Sequence, residues 1–447
     1  MNVSDKYPVI AQGYGVFMEP DGGYIFTYEE SCGIKRTLSP CEDLNLNACA
    51  ILEQCTGSKT VEEIVNLLKD TIENAPPDLY NQVKSFLDEA SRKGYIDYCD
   101  TPVQIRGLLQ GNTVHYTPSR VLLETTTKCN LKCGHCLLSA GEYHPDELTT
   151  EESISILETF SEMGVKRVVL SGGEVLAKKG WKDLVHFCTQ RFHTSLFTNG
   201  TMIADEADAL HCLNEVHISL YGSTAKTHER ISEVKGSFDK TVKGMSALTQ
   251  KGIYVGLSVL MVPFNLHQLE DIVKMAVSLK CSIVRIGVAY PLGRARTKKW
   301  ELTHPQKEWL RKKMENLQEV YGIEIRWEEE IKRGNKCGAG YSRWAVTSNG
   351  DVYPCSVFRL RIGSLKKEDP STILGSPAVK FLQELEPPHK GLCGDCNYLY
   401  VCRECHGHAL THAHHVDACK WIAQFEHAPE RLKGTVWKGS SKKRKKD

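Results

Sequence analysis

The sequence predicts an α/β protein built around a repeat of six strand–helix units, with a small winged-helix-like module before it and a cysteine-rich segment after it. Two observations carry that expectation. Between Arg120 and about Gly322, the apolar runs RVLLETT, RVVLS, TSLFT, EVHISLY, VGLSVLMV and IVRIGVAY alternate with helical segments. They are continuous rather than alternating, as parallel strands buried on both faces require. The composition also shifts on either side, strand-like and then helical before residue 102, and rich in Cys, Gly and turn residues from residue 323 onward.

The chain has 447 residues, too many for one ordinary core, so separate domains are expected. Residues 1–101 open with VIAQGYGVFME and GYIFTYEES around the turn signal Asp21-Gly22-Gly23. Helical periodicity follows in LNLNACAILEQC, TVEEIVNLLKDTI and DLYNQVKSFLDEASRKG, and Thr60 and Glu63 have capping-box spacing. Residues 102–118 carry little periodicity and read as a linker. Within residues 119–322, the first helix should begin at Thr149, capped with Glu152, and stop at Gly164. The last should begin near Thr303 with Pro305 in its first turn. Such βα units imply a parallel sheet, doubly wound or curled into a partial (β/α)6 barrel, with ligands at the strands' C-terminal ends. Residues 323–432 hold short strands around Asn349-Gly350-Asp351 and little apolar material, so metal is expected to fix their fold. Residues 433–447 end in a lysine-rich run that reads as a disordered tail.

Lys+Arg 56 against Asp+Glu 55 gives no global attraction to nucleic acid or anionic membrane. No apolar run approaches the roughly 20 residues that span a bilayer. The N-terminus MNVSDKYPVI lacks the pattern of a secretion signal, so a cytoplasmic protein is expected. In a reducing cytosol, cysteines at fixed spacings read as metal or redox sites rather than disulfides. Of the 18 cysteines, Cys32, Cys41, Cys49, Cys55, Cys99, Cys188, Cys212 and Cys281 stand singly and are expected to act as small buried hydrophobes. The others fall into two groups.

The first group is Cys129-x3-Cys133-x2-Cys136, directly after the first strand of the repeat. Three thiolates in one loop can hold three irons of a cubane cluster and leave the fourth iron open. The alternative, structural zinc, wants a fourth protein ligand, and His135 is awkwardly placed beside Cys136. The spacing resembles the signature of the radical S-adenosylmethionine (SAM) superfamily. Ser171-Gly172-Gly173-Glu174 after the second strand is similar to that family's GGE element, whose glycines let the backbone approach the methionine part of SAM. The resemblance implies that Gly172, Gly173 and Glu174 receive that moiety, and that Asn199, Ser219 and Arg230 line the ribose and carboxylate. It also implies a [4Fe–4S] cluster that delivers one electron to SAM, releasing a 5′-deoxyadenosyl radical. Nothing in the sequence identifies a general base.

The second group runs Cys337, Cys355, Cys393-x2-Cys396, Cys402-x2-Cys405 and Cys419. It resembles the SPASM extension, which carries two auxiliary clusters; a pair of zinc ribbons is the alternative. The family usually has three residues between the last close pair, where Cys402 and Cys405 have two. By resemblance, Cys337, Cys355 and Cys405 hold the inner cluster, and Cys393, Cys396, Cys402 and Cys419 the outer. The inner set is then one ligand short, an opening for a substrate thiolate, a water, a non-cysteine ligand or a two-iron cluster. The histidines at 406, 408, 412, 414 and 415 are expected to be solvated or to support the ligands.

The N-terminal module resembles the recognition element of enzymes that mature ribosomally made peptides, where a leader peptide adds a strand to the small sheet. Winged helices also bind DNA, but the third helix has three acidic and three basic residues, and a DNA-reading helix should be clearly basic. The domain order is most similar to sactipeptide and ranthipeptide maturases. That kinship implies thioether cross-links in a precursor peptide, three iron–sulfur clusters, SAM, and a flavodoxin- or ferredoxin-type electron donor. Carbon–carbon cross-linking and epimerisation are alternatives within the same chemistry, and a zinc-containing peptide chaperone is the non-enzyme alternative.

Overall fold

The computed structural model describes residues 3–31, 34–72, 74–104, 107–327, 337–402, 404–413, 416 and 418–436. Cys32, His414, His415 and the run 437–447 lie outside them. The chain packs as two units, residues 1–117 with 158–166, and residues 118–157 with 167–447.

In the first unit, β1 (Tyr7–Ile10) pairs with β5 (Ile96–Cys99). A second sheet has the order β4 (Ile34–Leu44), β3 (Gly22–Ser31), β2 (Tyr14–Glu19), β6 (Leu108–Gly111). Three helices follow β4: α1 (Leu46–Glu53), α2 (Val61–Thr71) and α3 (Leu79–Arg92). The expected capping box of α2 is present, with the Thr60 amide donating to Glu63 Oε2 at 2.7 Å and the Glu63 amide donating to Thr60 Oγ1 at 3.2 Å. Ile64, Val65 and Leu68 of α2 and Val83 and Leu87 of α3 close the core against Val16 and Ile25 of the sheet. The expectation of a plain linker over 102–118 is corrected: β6 runs parallel to β2, with Leu108 opposite Gly15. At four residues it is too short for periodicity to reveal.

In the second unit the six expected strands are β7 (Arg120–Glu124), β8 (Arg167–Ser171), β9 (His193–Thr198), β10 (Glu215–Leu220), β11 (Val255–Met261) and β12 (Ile283–Val288). Helices α4 (Thr150–Glu162), α5 (Trp181–Arg191), α6 (Ala225–Ser232), α7 (Ser237–Gln250), α8 (Leu269–Ser278) and α9 (His304–Tyr321) lie between and after them. The Thr149–Glu152 box caps α4, and Thr303 caps α9 with proline in its first turn. The sheet is larger than expected. β13 (Glu324–Trp327) adds in parallel to β12, so the sheet crosses the expected boundary at 322. At the other edge β14 (Arg343–Val346) adds in parallel to β7, followed by antiparallel β15 (Asp351–Tyr353) and β16 (Gly363–Ser364). The order is β13-β12-β11-β10-β9-β8-β7-β14-β15-β16. Arg120 of β7 and Arg326 of β13 line one cavity. On a flat sheet the strand spacing would hold them about 29 Å apart. The sheet is therefore curled into a partial barrel.

Short helices complete the C-terminal segment, among them α10 (Pro370–Leu374), α11 (Pro377–Glu384), α12 (Lys390–Cys393), α13 (Leu399–Cys402), α14 (His406–His412), α15 (Lys420–Ala423) and α16 (Glu430–Val436). The expectation of little apolar material here is corrected. Trp344, Phe358, Trp421 and Phe425 are fully buried, and Trp421 packs against Phe358 and Phe425 at centroid distances of 6.3 and 5.3 Å. Spread over eighty residues, these aromatics form no local pattern in sequence. His406, His408 and His412 are buried too, not solvated; His406 stacks on Trp421 at 5.9 Å and His412 on Tyr398 at 5.8 Å. Of the single cysteines, Cys49, Cys55, Cys188 and Cys281 are buried, whereas Cys99 is half-buried and Cys41 and Cys212 are exposed. No described helix is long and apolar enough to cross a membrane.

Candidate active site

The loop after β7 carries Cys129, Cys133 and Cys136, and its backbone is tied down along its length. The Cys129 amide donates to Gly141 O at 2.9 Å and the Gly141 amide to Thr127 O at 2.8 Å, closing the base. The amides of Lys132 and Gly134 donate to Ser232 O and Ile231 O, docking the tip on the end of α6. Arg294, just past β12, binds three carbonyls: its amide donates to Cys136 O at 3.0 Å, Nε to Cys133 O at 2.8 Å and Nη1 to Ala140 O at 2.7 Å. Burial would raise the Glu147 carboxyl, but hydrogen bonds from Thr127, Thr126 and the His144 amide outweigh it and hold the group below its ordinary pKa.

The loop borders a cavity of about 330 Å³ at the strands' C-terminal ends. Cys129, Cys133, Cys136, Gly172, Gly173, Asn199 and Ser219 all line it. Gly172 has φ +131°, and a Cβ there would stand 2.6 Å from Thr126 O; one on Gly173 would stand 2.2 Å from Lys128 O. Only glycine lets this turn lie directly against the cysteine loop. Asn199 ties the loop after β9 to the cysteine loop, its Nδ2 donating to Asn130 Oδ1 at 2.8 Å and its Oδ1 accepting from the Thr201 amide at 2.9 Å.

Two sequence candidates sit off the cavity wall. Glu174 is fully buried, its carboxylate accepting from Thr198 Oγ1, the Asn199 amide and the Leu176 amide, so it fastens the ends of β8 and β9 together. Arg230, on the exposed side of α6, stacks its guanidinium 3.8 Å over the Phe264 ring. Sequence reasoning missed Arg294, Glu147, Tyr221 and the pair Glu124–Arg359. Tyr221 follows β10, and its hydroxyl lies 3.8 Å from Cys133 Sγ. Glu124 ends β7 and forms an ion pair with Arg359; both line the cavity, together with Tyr290, whose ring sits 4.7 Å from that of His408. Position at a strand's C-terminal end was a usable signal for Glu124, Tyr221 and Tyr290; Arg294, Glu147 and Arg359 had none.

Burial pushes the Cys133 thiol up to about 12 and raises Cys129. Such thiols stay protonated unless a metal takes the proton's place. A single zinc ion would draw its sulfurs to within about 4 Å of one another. No group of three His, Cys, Asp or Glu side chains among the described residues gathers to hold one ion. The loop, the open cavity beside it and the glycine cradle fit a four-iron cluster with SAM.

The C-terminal thiols fall into two neighbourhoods. Cys405 is pushed up to about 12 by burial and then by the sulfurs of Cys355 and Cys337. Cys402, also pushed up to about 12 by burial, feels Cys419, Cys396, Cys393 and, least, Cys405.

A model described as the radical SAM superfamily matches residues 123–276, one for an iron–sulfur cluster-binding domain (SPASM) matches 337–397, and one for coenzyme PQQ synthesis protein D (PqqD) matches 42–96. The sporulation killing factor maturation protein of Bacillus subtilis is 29% identical, over 62% of this chain and 69% of its own. The antilisterial bacteriocin subtilosin biosynthesis protein of the same species is 24% identical, over 89% of this chain and 93% of its own. The mycofactocin maturase of Mycobacterium ulcerans is 30% identical, over 63% of this chain and 80% of its own. In fold, the chain is similar to Streptococcus suis SuiB crystallised with S-adenosylmethionine, with a TM-score of 0.60 and 14% identity over 90% of this chain and 98% of that one. The chain belongs to the radical SAM superfamily, as a SPASM enzyme with a PqqD-like N-terminal domain that uses SAM, a [4Fe–4S] cluster and auxiliary iron–sulfur clusters.

Proposed function

We propose that this radical SAM peptide-modifying enzyme forms thioether links between cysteine sulfurs and carbons of a ribosomally made precursor peptide. When bound, SAM and its reduced cluster supply a radical able to take hydrogen from an unactivated carbon, and an auxiliary cluster supplies an acceptor for the remaining electron.

Cys129, Cys133 and Cys136 would hold the SAM cluster, with the Gly172-Gly173 turn, Asn199 and Ser219 around SAM. Cys337, Cys355 and Cys405 would hold the inner auxiliary cluster, and Cys393, Cys396, Cys402 and Cys419 the outer. The observation that carries the thioether reading is the inner neighbourhood of three thiols, with no further cysteine between Cys337 and Cys355. A substrate thiolate is the soft ligand that would complete it. Relatives whose names tie them to a killing factor and a bacteriocin point the same way. In the PqqD-like domain, β4 ends its sheet, and Lys93 at the end of α3 pairs with Glu42 of β4 at 2.9 Å. A leader peptide adding a strand to β4 would therefore run beside α3. The electron donor would be a flavodoxin or ferredoxin, and the many thiols suit a reducing, cytoplasmic setting.

The test is anaerobic incubation of the reduced enzyme with SAM and a cysteine-containing precursor peptide, followed by mass spectrometry before and after thiol alkylation. Thioether formation removes two hydrogens per link and protects one thiol from alkylation. The same mass loss with every thiol still alkylated means carbon–carbon linkage. Deuterium uptake from solvent without mass loss in light water means epimerisation. Either result overturns the thioether reading.

A further inference from the structure

The other end of the barrel has its own chemistry. β7 and β8 begin with Arg120 and Arg167, and Arg285 and Arg326 are third in β12 and β13. These four arginines line a cavity of about 210 Å³ at the strands' N-terminal ends. Phe197 lines both this cavity and the cofactor cavity and forms the partition between them.

Like charges stand side by side here. Arg120 is in register with Arg167 on one side and with Arg343 of β14 on the other, and Arg285 is in register with Arg326. Directly opposed like charges on neighbouring strands are destabilising. The Arg120 side chain reaches solvent, yet desolvation among its packed neighbours first, and then Arg285, Arg343 and Arg167, hold its guanidinium below the ordinary pKa, with Glu215 opposing them.

The local carboxylates, Glu215 and Glu324, are outnumbered by the four arginines. Glu215, the one acidic residue lining the cavity, accepts from Ser195 Oγ at 3.1 Å and lies 3.0 Å from His217 Nε2. Glu324, on the rim, pairs with Arg326 at 2.5 Å. The Glu215 charge acts on Arg120, but it stands against those of Arg285, Arg343 and Arg167. His217 is 2% exposed, and burial lowers its pKa, so it adds no charge at neutral pH.

We propose that this N-terminal mouth binds a compact, multiply charged oxyanion of the phosphate type, separately from SAM and from the peptide. The guanidinium fork matches phosphate oxygens two at a time, and charge-assisted bonds of this kind are the strong ones. Arg120 and Arg167 open to solvent, so the ligand enters from outside the barrel without crossing the partition at Phe197.

The test is calorimetric melting of the holoenzyme at fixed ionic strength, in chloride alone and with rising inorganic phosphate, pyrophosphate or glycerol 3-phosphate. A ligand that binds only the folded state raises the melting midpoint progressively, with the logarithm of its concentration once that exceeds Kd. The expected result is such a rise with a phosphate compound and none with chloride. Response to the inorganic ions marks free phosphate as the ligand; response to the ester alone marks a phosphorylated metabolite. The Arg120→Gln/Arg167→Gln variant should need at least roughly tenfold more of the same anion. A midpoint that follows chloride in every arm, or a variant that responds like the wild type, overturns the proposal. Should the variant fail to fold, titration calorimetry of the wild-type holoenzyme with phosphate decides, because no saturable heat overturns it equally.

Discussion

At their C-terminal ends, β7 to β12 hand over to loops that make the site by fastening to one another: Gly173 against Lys128 O, Arg294 on three loop carbonyls, Asn199 on Asn130. At the opposite end of the sheet, β7, β8, β10, β12 and β13 make a site from their own side chains, the arginines and Glu215. One mouth is defined by where the main chain runs and the other by which charges the strands carry. The first should therefore respond sharply to changes that move backbone, and the second to changes of charge at constant shape.

The largest effect should come from replacing Cys129, Cys133 and Cys136 together by Ala. Formation of 5′-deoxyadenosine under dithionite should fall to background, while iron bound by the C-terminal cysteines remains. Melting should keep its response to phosphate, and loss of that response would show the two mouths to be coupled. Next is Gly173→Ala, whose Cβ would stand 2.2 Å from Lys128 O. A loop displaced by about 1 Å should cost roughly 100-fold in deoxyadenosine formation per cluster. A smaller effect, roughly tenfold, is expected for Arg294→Ala, read as paired losses of cluster content and activity with partial recovery in Arg294→Lys. Retained cluster content at wild-type activity would show the loop holds its shape without that brace.

The smallest effect separates two buried histidines. Burial lowers His228, beside Tyr221, to about 4 from 6.5, while burial of His217 is opposed by the hydrogen bond to Glu215. A histidine with a lowered folded pKa binds its proton more readily when unfolded. Its stabilisation is therefore complete above about pH 6.5 and is lost as pH falls toward 4, amounting to about 3 kcal/mol for His228. Melting midpoints across that window should slope less in His228→Gln than in the wild type. An unchanged slope would place the acid sensitivity elsewhere.

Much of this was legible in the sequence because the signals were local. The continuous runs of β7 to β12, the boxes at Thr60 and Thr149, and the Cys129–Cys136 spacing each declare themselves within a dozen residues. What was not legible depends on distant partners. β13 and β14 are four residues each and become strands only by adding to edges that exist once the sheet is built. Arg294 and Arg359 look like ordinary surface cations until the loops they fasten, at Cys133 and Glu124, are in place. Arg120, Arg167, Arg285 and Arg326 are spread over two hundred residues, and only the curl of the sheet gathers them. Glu174 stands in the motif that the resemblance ties to SAM, and only the built sheet shows that its carboxylate also accepts from Thr198 and the Asn199 amide.

The aromatic core around Trp421 bears on how such an enzyme is made. Phe358, Phe425 and the His406 ring pack on Trp421 in the same stretch that carries Cys355, Cys405 and Cys419. Hydrophobic burial of that size contributes to the fold independently of any metal. The stability of the segment is therefore shared between an apolar core and the clusters its thiols would hold, so damage to one cluster should loosen its surroundings before it unfolds the rest.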